Sequence, residues 1–189
     1  MNLIHLKPDN YVVSTWSGGT TTQIGIAPQG AVYAHRDFLW RISSATVDLE
    51  VSDFTPLPDY DRLIATLEGE IDVTHNGGEA IHLAPYCVHS FDGGWETRSA
   101  GKCRDFNLMT RKGVCTGRME AITGAACVSV GGKSHDTAIL YCGTGEVCVQ
   151  VQGQAVTLKQ GEALLLESPE EIPLTVSDGG RLILTEAWY

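Results

Sequence analysis

The chain has 189 residues, of which 43% are hydrophobic and 19% are charged, and its formal net charge is −10. This composition is typical of a globular protein and excludes a disordered chain. Nucleic acids and anionic membranes are excluded as expected partners, because both would repel a surface of this charge and no basic stripe offsets it.

The chain carries no segment that predicts a membrane or export route. No apolar run approaches the length needed to cross a bilayer. The first ten residues, MNLIHLKPDN, lack the charged start, apolar stretch and cleavage site of a signal peptide. We therefore expect a cytoplasmic location and no membrane partner.

Short alternating or apolar runs follow one another along the chain, separated by turn residues and without a long helical period. This pattern predicts an all-β protein with little helix. The predicted strands are 11–16, 22–26, 38–49, 62–67, 70–75, 79–83, 103–111, 126–130, 137–142, 146–151, 155–158, 163–167, 172–176 and 181–186.

One hairpin pattern occurs twice, in residues 67–83 and again in residues 143–158. Each copy has a Gly-Glu entry, an alternating strand, a glycine turn and a second alternating strand. Matching apolar residues across the turns fixes the register. Asp72 and His82 then share the other face of the first hairpin. The predicted pairs are Val149 with Val156, Val147 with Leu158, Val73 with Ile81 and Ile71 with Leu83.

The doubled hairpin, with KQGEALLLES following the second copy, resembles the small β-barrel of the cupins. A doubled copy implies a bicupin, with two cupin-like barrels of the RmlC-like jelly-roll type in one chain. We assign residues 1–113 to an N-terminal barrel with the ligand pocket. We assign residues 114–189 to a C-terminal barrel, which either stands alone or shares strands with the N-terminal segment.

Five separated blocks occur in an order that points to a narrower family. They are WSGGTTTQI (16–24), FLWRISSATV (38–47), FTPLPDYDRLIATLEGE (54–70), PYCVHSFDGG (85–94) and DFNLMTR (105–111). Together they resemble the HutD/Ves family. The resemblance implies a bicupin with a small-molecule pocket and a link to histidine utilisation or to stress. The chain departs from the family pattern at 52–54, 57–59 and 85–86, which leaves the identity of the ligand open.

The cysteines and histidines do not form a metal-binding pattern. The six cysteines contain no C-x-x-C pair, so we expect free thiols that pack as small hydrophobic residues. The His-x-His-then-Glu arrangement of metal-binding cupins is absent. His75, His82 and His89 are seven residues apart, but a turn separates the first two. We therefore expect no metal and no cofactor.

Polar residues on two predicted strands are the first candidates for a site. Alternation places Asp105 and Asn107 on one face of the strand 103–111, and Arg41 shares a face with Ser43. A buried guanidinium must be paired, and its planar fork suits a carboxylate. Arg41 therefore either forms an ion pair with Asp105 or Asp61, or binds a carboxylate or formyl group of a ligand. Both can hold at once, with Asp105 orienting Arg41.

The remaining candidates each have a structural and a functional interpretation. Arg62 lies at the barrel mouth or is an exposed arginine at a strand end. Asn107 recognises an amide or formimino group or closes a buried network. Trp16 walls the pocket or simply packs, and His89 lies at the mouth or in a loop. The predicted ligand-binding residues are Arg41, Ser43, Arg62, Asp105, Asn107, Trp16 and His89.

Three functions remain open. The first is binding of a small carboxylated metabolite, which by the family resemblance is a formimino- or formylglutamate-type intermediate of histidine degradation, with a regulatory or sensing role. The second is a metal-independent lyase, isomerase or hydrolase that uses Asp105 or His89 as general base. The third is a non-catalytic interaction module. We expect binding ahead of catalysis, and a homodimer if a barrel edge is exposed.

Overall fold

The computed structural model describes residues 1–168 and 170–189, and nearly all of its regular structure is β-strand. The all-β prediction is confirmed. Helical structure in the described residues is limited to the 3-10 turns Pro8–Asn10 and Tyr33–His35. None of the helical segments in these residues has the length and apolar character that crossing a membrane requires.

The chain divides into two compact units. The N-terminal unit is Tyr11–Cys115, and the C-terminal unit combines Met1–Asn10 with Thr116–Tyr189. The first ten residues, which the sequence-based division placed in the first half, thus group with the second. Their strand Asn2–Leu6 (β1) forms an antiparallel pair with Ala163–Glu167 of the C-terminal unit.

Ten strands build the N-terminal unit, in two antiparallel sheets. They are Val12–Trp16 (β2), Gly19–Ala27 (β3), Trp40–Val47 (β4), Val51–Asp53 (β5), Tyr60–Glu68 (β6), Ile71–His75 (β7), Ile81–Leu83 (β8), His89–Asp92 (β9), Thr97–Ala100 (β10) and Cys103–Arg111 (β11). The six-stranded sheet has the order β2-β3-β4-β11-β6-β9, and the four-stranded sheet has the order β5-β10-β7-β8.

The C-terminal unit forms one eight-stranded antiparallel sheet around an aliphatic core. Besides β1, its strands are Thr116–Ile122 (β12), Ala126–Val130 (β13), Thr137–Val151 (β14), Gln154–Lys159 (β15), Ala163–Glu167 (β16), Ile172–Val176 (β17) and Gly180–Trp188 (β18). The predicted strands 137–142 and 146–151 are the single strand β14. It continues through an irregularity between Cys142 and Thr144.

Both predicted hairpin registers are confirmed. In the C-terminal unit, Val147 lies opposite Leu158 and Val149 opposite Val156. The first hairpin has its two predicted apolar pairs as well, and it also pairs Asp72 with His82. The His82 ring and an Asp72 carboxylate oxygen are 2.8 Å apart on the exposed face of this hairpin.

The observed strand pairings form open sheets. The six-stranded sheet ends at β2 and β9, and the four-stranded sheet ends at β5 and β8, with no pairing between these ends in the described strands. Two closed barrels are therefore not part of the observed fold. All six cysteines are free thiols, as predicted.

Two apolar clusters of the N-terminal unit surround the predicted site. In the first cluster, Ile64 and Phe91 of the six-stranded sheet pack with side chains of β7 and β8. The second cluster contains Tyr60 and Met109 of the same sheet, together with Phe38 and Leu57. Along β6, Arg62 lies between Tyr60 and Ile64, so its charged side chain has apolar neighbours on both sides.

Candidate functional site

Strand β11 brings the predicted polar residues together, because β4 and β6 flank it on either side. Met109 of β11 lies opposite Arg41 and also opposite Arg62, and Asn107 lies opposite Ser43. Since alternate residues of a strand share a face, these side chains form one polar face. All of its predicted members are buried, and they are Arg41, Ser43, Arg62, Asp105 and Asn107.

Arg41 is held by two neutral oxygen acceptors. Its Nε donates to Gln23 Oε1 at 2.8 Å, and its Nη1 donates to Ser43 Oγ at 3.0 Å. The guanidinium carbon lies 4.3 Å from the centre of the Tyr33 ring. Burial lowers the pKa of Arg41.

The ion pairs considered for Arg41 do not form. Asp61 is exposed, and among the described residues no carboxylate forms an ion pair with Arg41. Gln23 and Ser43, rather than Asp105, orient the guanidinium. The structural interpretation of Arg41 as half of an ion pair is therefore wrong.

Arg62 is buried rather than exposed at a strand end. Its Nη2 donates to Asn107 Oδ1 at 2.9 Å, and its guanidinium carbon lies 4.9 Å from the Phe54 ring centre and 5.2 Å from that of Phe91. Its Nε has no hydrogen-bond acceptor among the described residues. Burial lowers the pKa of Arg62 to about 10, so the side chain is still charged at neutral pH.

Asp105 is the one acidic residue of this face in the described part of the chain. Its Oδ1 accepts a hydrogen bond from the Ala45 backbone N–H at 3.0 Å. Burial raises its pKa to about 6, although that bond and the nearby Arg62 act in the opposite direction. The neighbouring Thr66 is fully buried, and its Oγ1 lacks a hydrogen-bond partner among the described residues.

The polar face therefore carries two guanidinium charges against a single carboxyl group that titrates near neutrality. A desolvated cation without a counter-charge is costly, and a bound carboxylate would provide both charge and hydrogen-bond acceptors. The chemistry that this arrangement suits is the recognition of a small anion.

The comparison with known families agrees with the order of the sequence blocks. The HutD family model matches residues 9–184. The chain belongs to the HutD family. No curated protein matches it.

Solved structures resemble this HutD-family chain over its whole length. A conserved protein of unknown function from Pseudomonas aeruginosa is 23% identical, with a TM-score of 0.84 and 100% of both chains covered. HutD from Pseudomonas fluorescens is 23% identical, with a TM-score of 0.81, and covers 99% of this chain and 98% of its own. The bacterial pirin YhhW from Escherichia coli is 9% identical, with a TM-score of 0.65 and 99% of both chains covered. At these identities the likeness shows a cupin-like β fold alone.

His89 forms a pair that the sequence did not predict. Its Nε2 lies 2.8 Å from Nε2 of His75, and His75 Nδ1 lies 2.9 Å from Thr97 Oγ1. Burial lowers the pKa of both histidines. Ile64 of β6 lies between His89 and Asn107, because it is paired with His89 on one side and with Asn107 on the other. The structure thus places His89 beside the polar face, within a histidine pair of its own.

Trp16 lies apart from the two arginines. It is in the edge strand β2, opposite Gly19, and β3 separates it from β4. Its side chain is 37% exposed. The structure therefore places Trp16 at the rim of the sheet and outside the hydrogen-bonded polar group.

Several residues that contact the two arginines were not predicted from the sequence. Gln23 belongs to the quoted block WSGGTTTQI, and alternation with Thr21 could have placed it on the inner face. Tyr33 lies in a 3-10 turn, and Phe54 lies outside the strands, so neither carries a periodic signal. Their role as aromatic neighbours of Arg41 and Arg62 depends on tertiary structure.

A cavity of about 490 Å³ lies in the C-terminal unit and is lined by none of the predicted site residues. Its walls carry hydroxyl and carboxyl groups, and burial next to Glu186 raises the pKa of Asp136. Since its walls include acidic groups, it does not suit a carboxylate ligand. The lining residues are Ser134, His135, Asp136, Thr137, Glu167, Ser168 and Tyr189.

Proposed function

We propose that this chain binds a small carboxylated metabolite on the polar face of the N-terminal unit, with Arg41 and Arg62 as the anion-binding groups. The observation that carries the proposal is the burial of two guanidinium groups on one face without an ion-paired carboxylate in the described part of the chain. Burial of an unpaired charge costs folding free energy, and a binding function would explain why the chain retains it.

The free hydrogen-bonding groups suggest how the ligand is held. Among the described residues, Arg62 Nε has no acceptor and Arg41 donates through Nε and Nη1 only. Asn107 accepts from Arg62 through Oδ1 and its side chain also hydrogen-bonds to Asp105, which leaves one amide N–H for a formyl oxygen. Two arginines beside one amide suit a ligand with two carboxylates and one formyl or formimino group.

Formimino- and formylglutamate have this combination of groups. Membership of the HutD family, whose name refers to histidine utilisation, makes such intermediates of histidine degradation the leading ligands. The HutD structure from Pseudomonas fluorescens was obtained in a formate condition, and formate is the smallest carboxylate. We propose a sensing or regulatory role for this binding, in the cytoplasm, and a bicupin architecture of two cupin-like units whose sheets are open.

Thermal-shift measurements test the binding. Formylglutamate, formiminoglutamate and formate should each raise the melting temperature of the wild type by mass action; a ligand at a hundred times its Kd contributes about 2.7 kcal/mol. The dimethyl ester of formylglutamate, which lacks both charges, should have no effect. Arg41→Ala and Arg62→Ala should abolish the shift. Arg98→Ala is the matched control, because Arg98 is exposed in the same unit and pairs with Asp53.

Two results would contradict the proposal. One is the absence of a shift with every carboxylated compound for a wild type that unfolds cooperatively. The other is a shift of normal size in a folded Arg41→Ala variant, because the guanidinium would then have no part in recognition.

The pKa of Asp105 supports a second function, general acid-base catalysis. A buried carboxyl group with a pKa of about 6 is poised to accept a proton near neutral pH. Incubation of the protein with formylglutamate, followed by NMR, would reveal turnover. Catalysis predicts product formation that is lost in Asp105→Asn, whereas binding alone predicts unchanged ligand in both samples.

A further inference from the structure

The edge strand β2 is unusually open to solvent. It pairs only with β3 among the described strands, and all five of its residues, Val12–Trp16, are exposed. Val12 is 64% exposed and Val13 is 62% exposed. One side of this strand therefore has backbone N–H and C=O groups directed away from the sheet, beside apolar side chains.

The residues of β2 lack the features that normally protect a sheet edge, which are charges, proline, bulges or a covering segment. Residues 11–23 contain no charged side chain, although the chain has 13 basic and 23 acidic residues. The β2–β3 register is regular throughout. By contrast, the edge strand β5 has three residues, and its Asp53 is ion-paired with Arg98.

We propose that β2 pairs with β2 of a second copy of this chain, antiparallel and about a two-fold axis at Ser14. In this register Val12 lies opposite Trp16 of the second copy and Val13 opposite Thr15, so each contact is repeated by symmetry. β-Branched and aromatic residues form favourable cross-strand pairs. The uncharged strand also lets two chains of net charge −10 meet where repulsion is smallest.

The hairpin geometry fixes which groups face the second copy. The turn at 17–18 follows the pair Trp16–Gly19, and residues that flank a two-residue turn hydrogen-bond to each other. By alternation Ser14 also bonds to β3, while Val13 and Thr15 direct their backbone groups outward. The two copies of Ser14 then form a non-hydrogen-bonded pair, with Cα atoms about 4.5 Å apart.

Disulfide cross-linking tests this register. The parent should carry Cys87→Ser and Cys127→Ser, since both cysteines are exposed. In this parent, Ser14→Cys should oxidise to a covalent dimer because its Cα separation permits a disulfide. Ser17→Cys is the matched control, because Ser17 is also exposed. In this register Ser17 lies opposite residue 11 of the second copy, so the two copies of Ser17 are six residues, or roughly 20 Å, apart along the strand. Equal cross-linking of both variants would overturn the register.

The mass in solution tests the interface without a covalent bond. Light scattering of the wild type at tens of micromolar should give twice the mass of one chain. The double variant Val13→Glu/Thr15→Glu places acidic side chains opposite each other twice and should weaken association at least tenfold. The double variant Val13→Lys/Thr15→Glu changes the same positions with opposite charges and should restore the dimer.

Circular dichroism first shows whether the variants are folded, and two results on the folded proteins would then contradict the dimer. A wild type that is monomeric at all concentrations overturns the proposal, even if β2 pairs with a different protein. A dimer that tolerates the doubly acidic variant also overturns it, because the interface would then lie elsewhere. The ligand site and this interface are independent, so failure of one leaves the other unaffected.

Discussion

Replacement of Arg62 by methionine distinguishes a binding residue from a structural one. Burial lowers the pKa of Arg62 to about 10, which at about 1.36 kcal/mol per pKa unit corresponds to roughly 3 kcal/mol. Because the folded state lowers the pKa of a basic group, it disfavours the charged form that the unfolded chain carries at neutral pH. The charge therefore destabilises the native state, and Arg62→Met removes this cost.

The substitution also removes favourable contacts. The hydrogen bond from Arg62 Nη2 to Asn107 Oδ1 is lost, and a hydrogen bond to a charged group contributes about 1.5–3 kcal/mol. The contacts with the Phe54 and Phe91 rings are largely retained by the thioether chain. The two effects nearly cancel, so we expect the free energy of unfolding to stay within about 1.5 kcal/mol of the wild type.

Urea denaturation at pH 7, followed by tryptophan fluorescence, measures this difference. The same variant should lose the thermal shift with formylglutamate. Arg98→Met serves as the control and should keep both the stability and the shift. A loss of about 3–5 kcal/mol in Arg62→Met, the usual result of breaking a buried charged pair, would instead show that Arg62 is a structural element of the native state.

Three further predictions concern charge and protonation. The native state binds the Asp105 proton more tightly than the unfolded chain does, because the pKa is about 6 in the fold and near 4 ordinarily. The free energy of unfolding should therefore fall as pH rises between these values. Above pH 6, Asp105→Asn should be up to about 3 kcal/mol more stable than the wild type in urea denaturation, and below pH 4 the two should be equal. Gln23→Glu should neutralise Arg41 and weaken formylglutamate binding at least tenfold by calorimetry, with unchanged affinity as the contrary result. In an NMR titration, the pKa of His82 should lie above that of free histidine and the pKa of His89 below it; the reverse order would contradict the structure.

The sequence predicted those parts of the fold that depend on local alternation and on apolar pairing across a turn. The hairpin register at Val147 and Val149 is correct because a slip of one residue would expose a whole apolar face. The strand 103–111 is correct for the same reason. Strand β10 was missed because its buried residues, Thr97 and Ser99, are small and polar and give no hydrophobic period.

The sequence predicted most members of the polar face, but it missed Gln23 and did not predict the contacts between the members. Alternation placed Arg41, Asp105 and Asn107 on inner faces, but a strand pattern does not predict the hydrogen-bond partner of a long side chain. Arg41 donates to Gln23, which lies 18 residues earlier in the sequence, and not to a carboxylate. The contact between His75 and His89 likewise joins two different sheets, so it depends on packing that a strand pattern does not contain.

A crystal structure of this chain with formylglutamate would show whether Arg41 and Arg62 bind the ligand. We expect ligand carboxylate oxygens within about 3 Å of the guanidinium nitrogens of both Arg41 and Arg62, which is the ordinary distance of a charged hydrogen bond. The formyl oxygen should accept a hydrogen bond from the Asn107 amide. Ligand bound only in the cavity lined by Asp136 and Tyr189, or a polar face without ligand at saturating concentration, would show that the two arginines do not form the binding site.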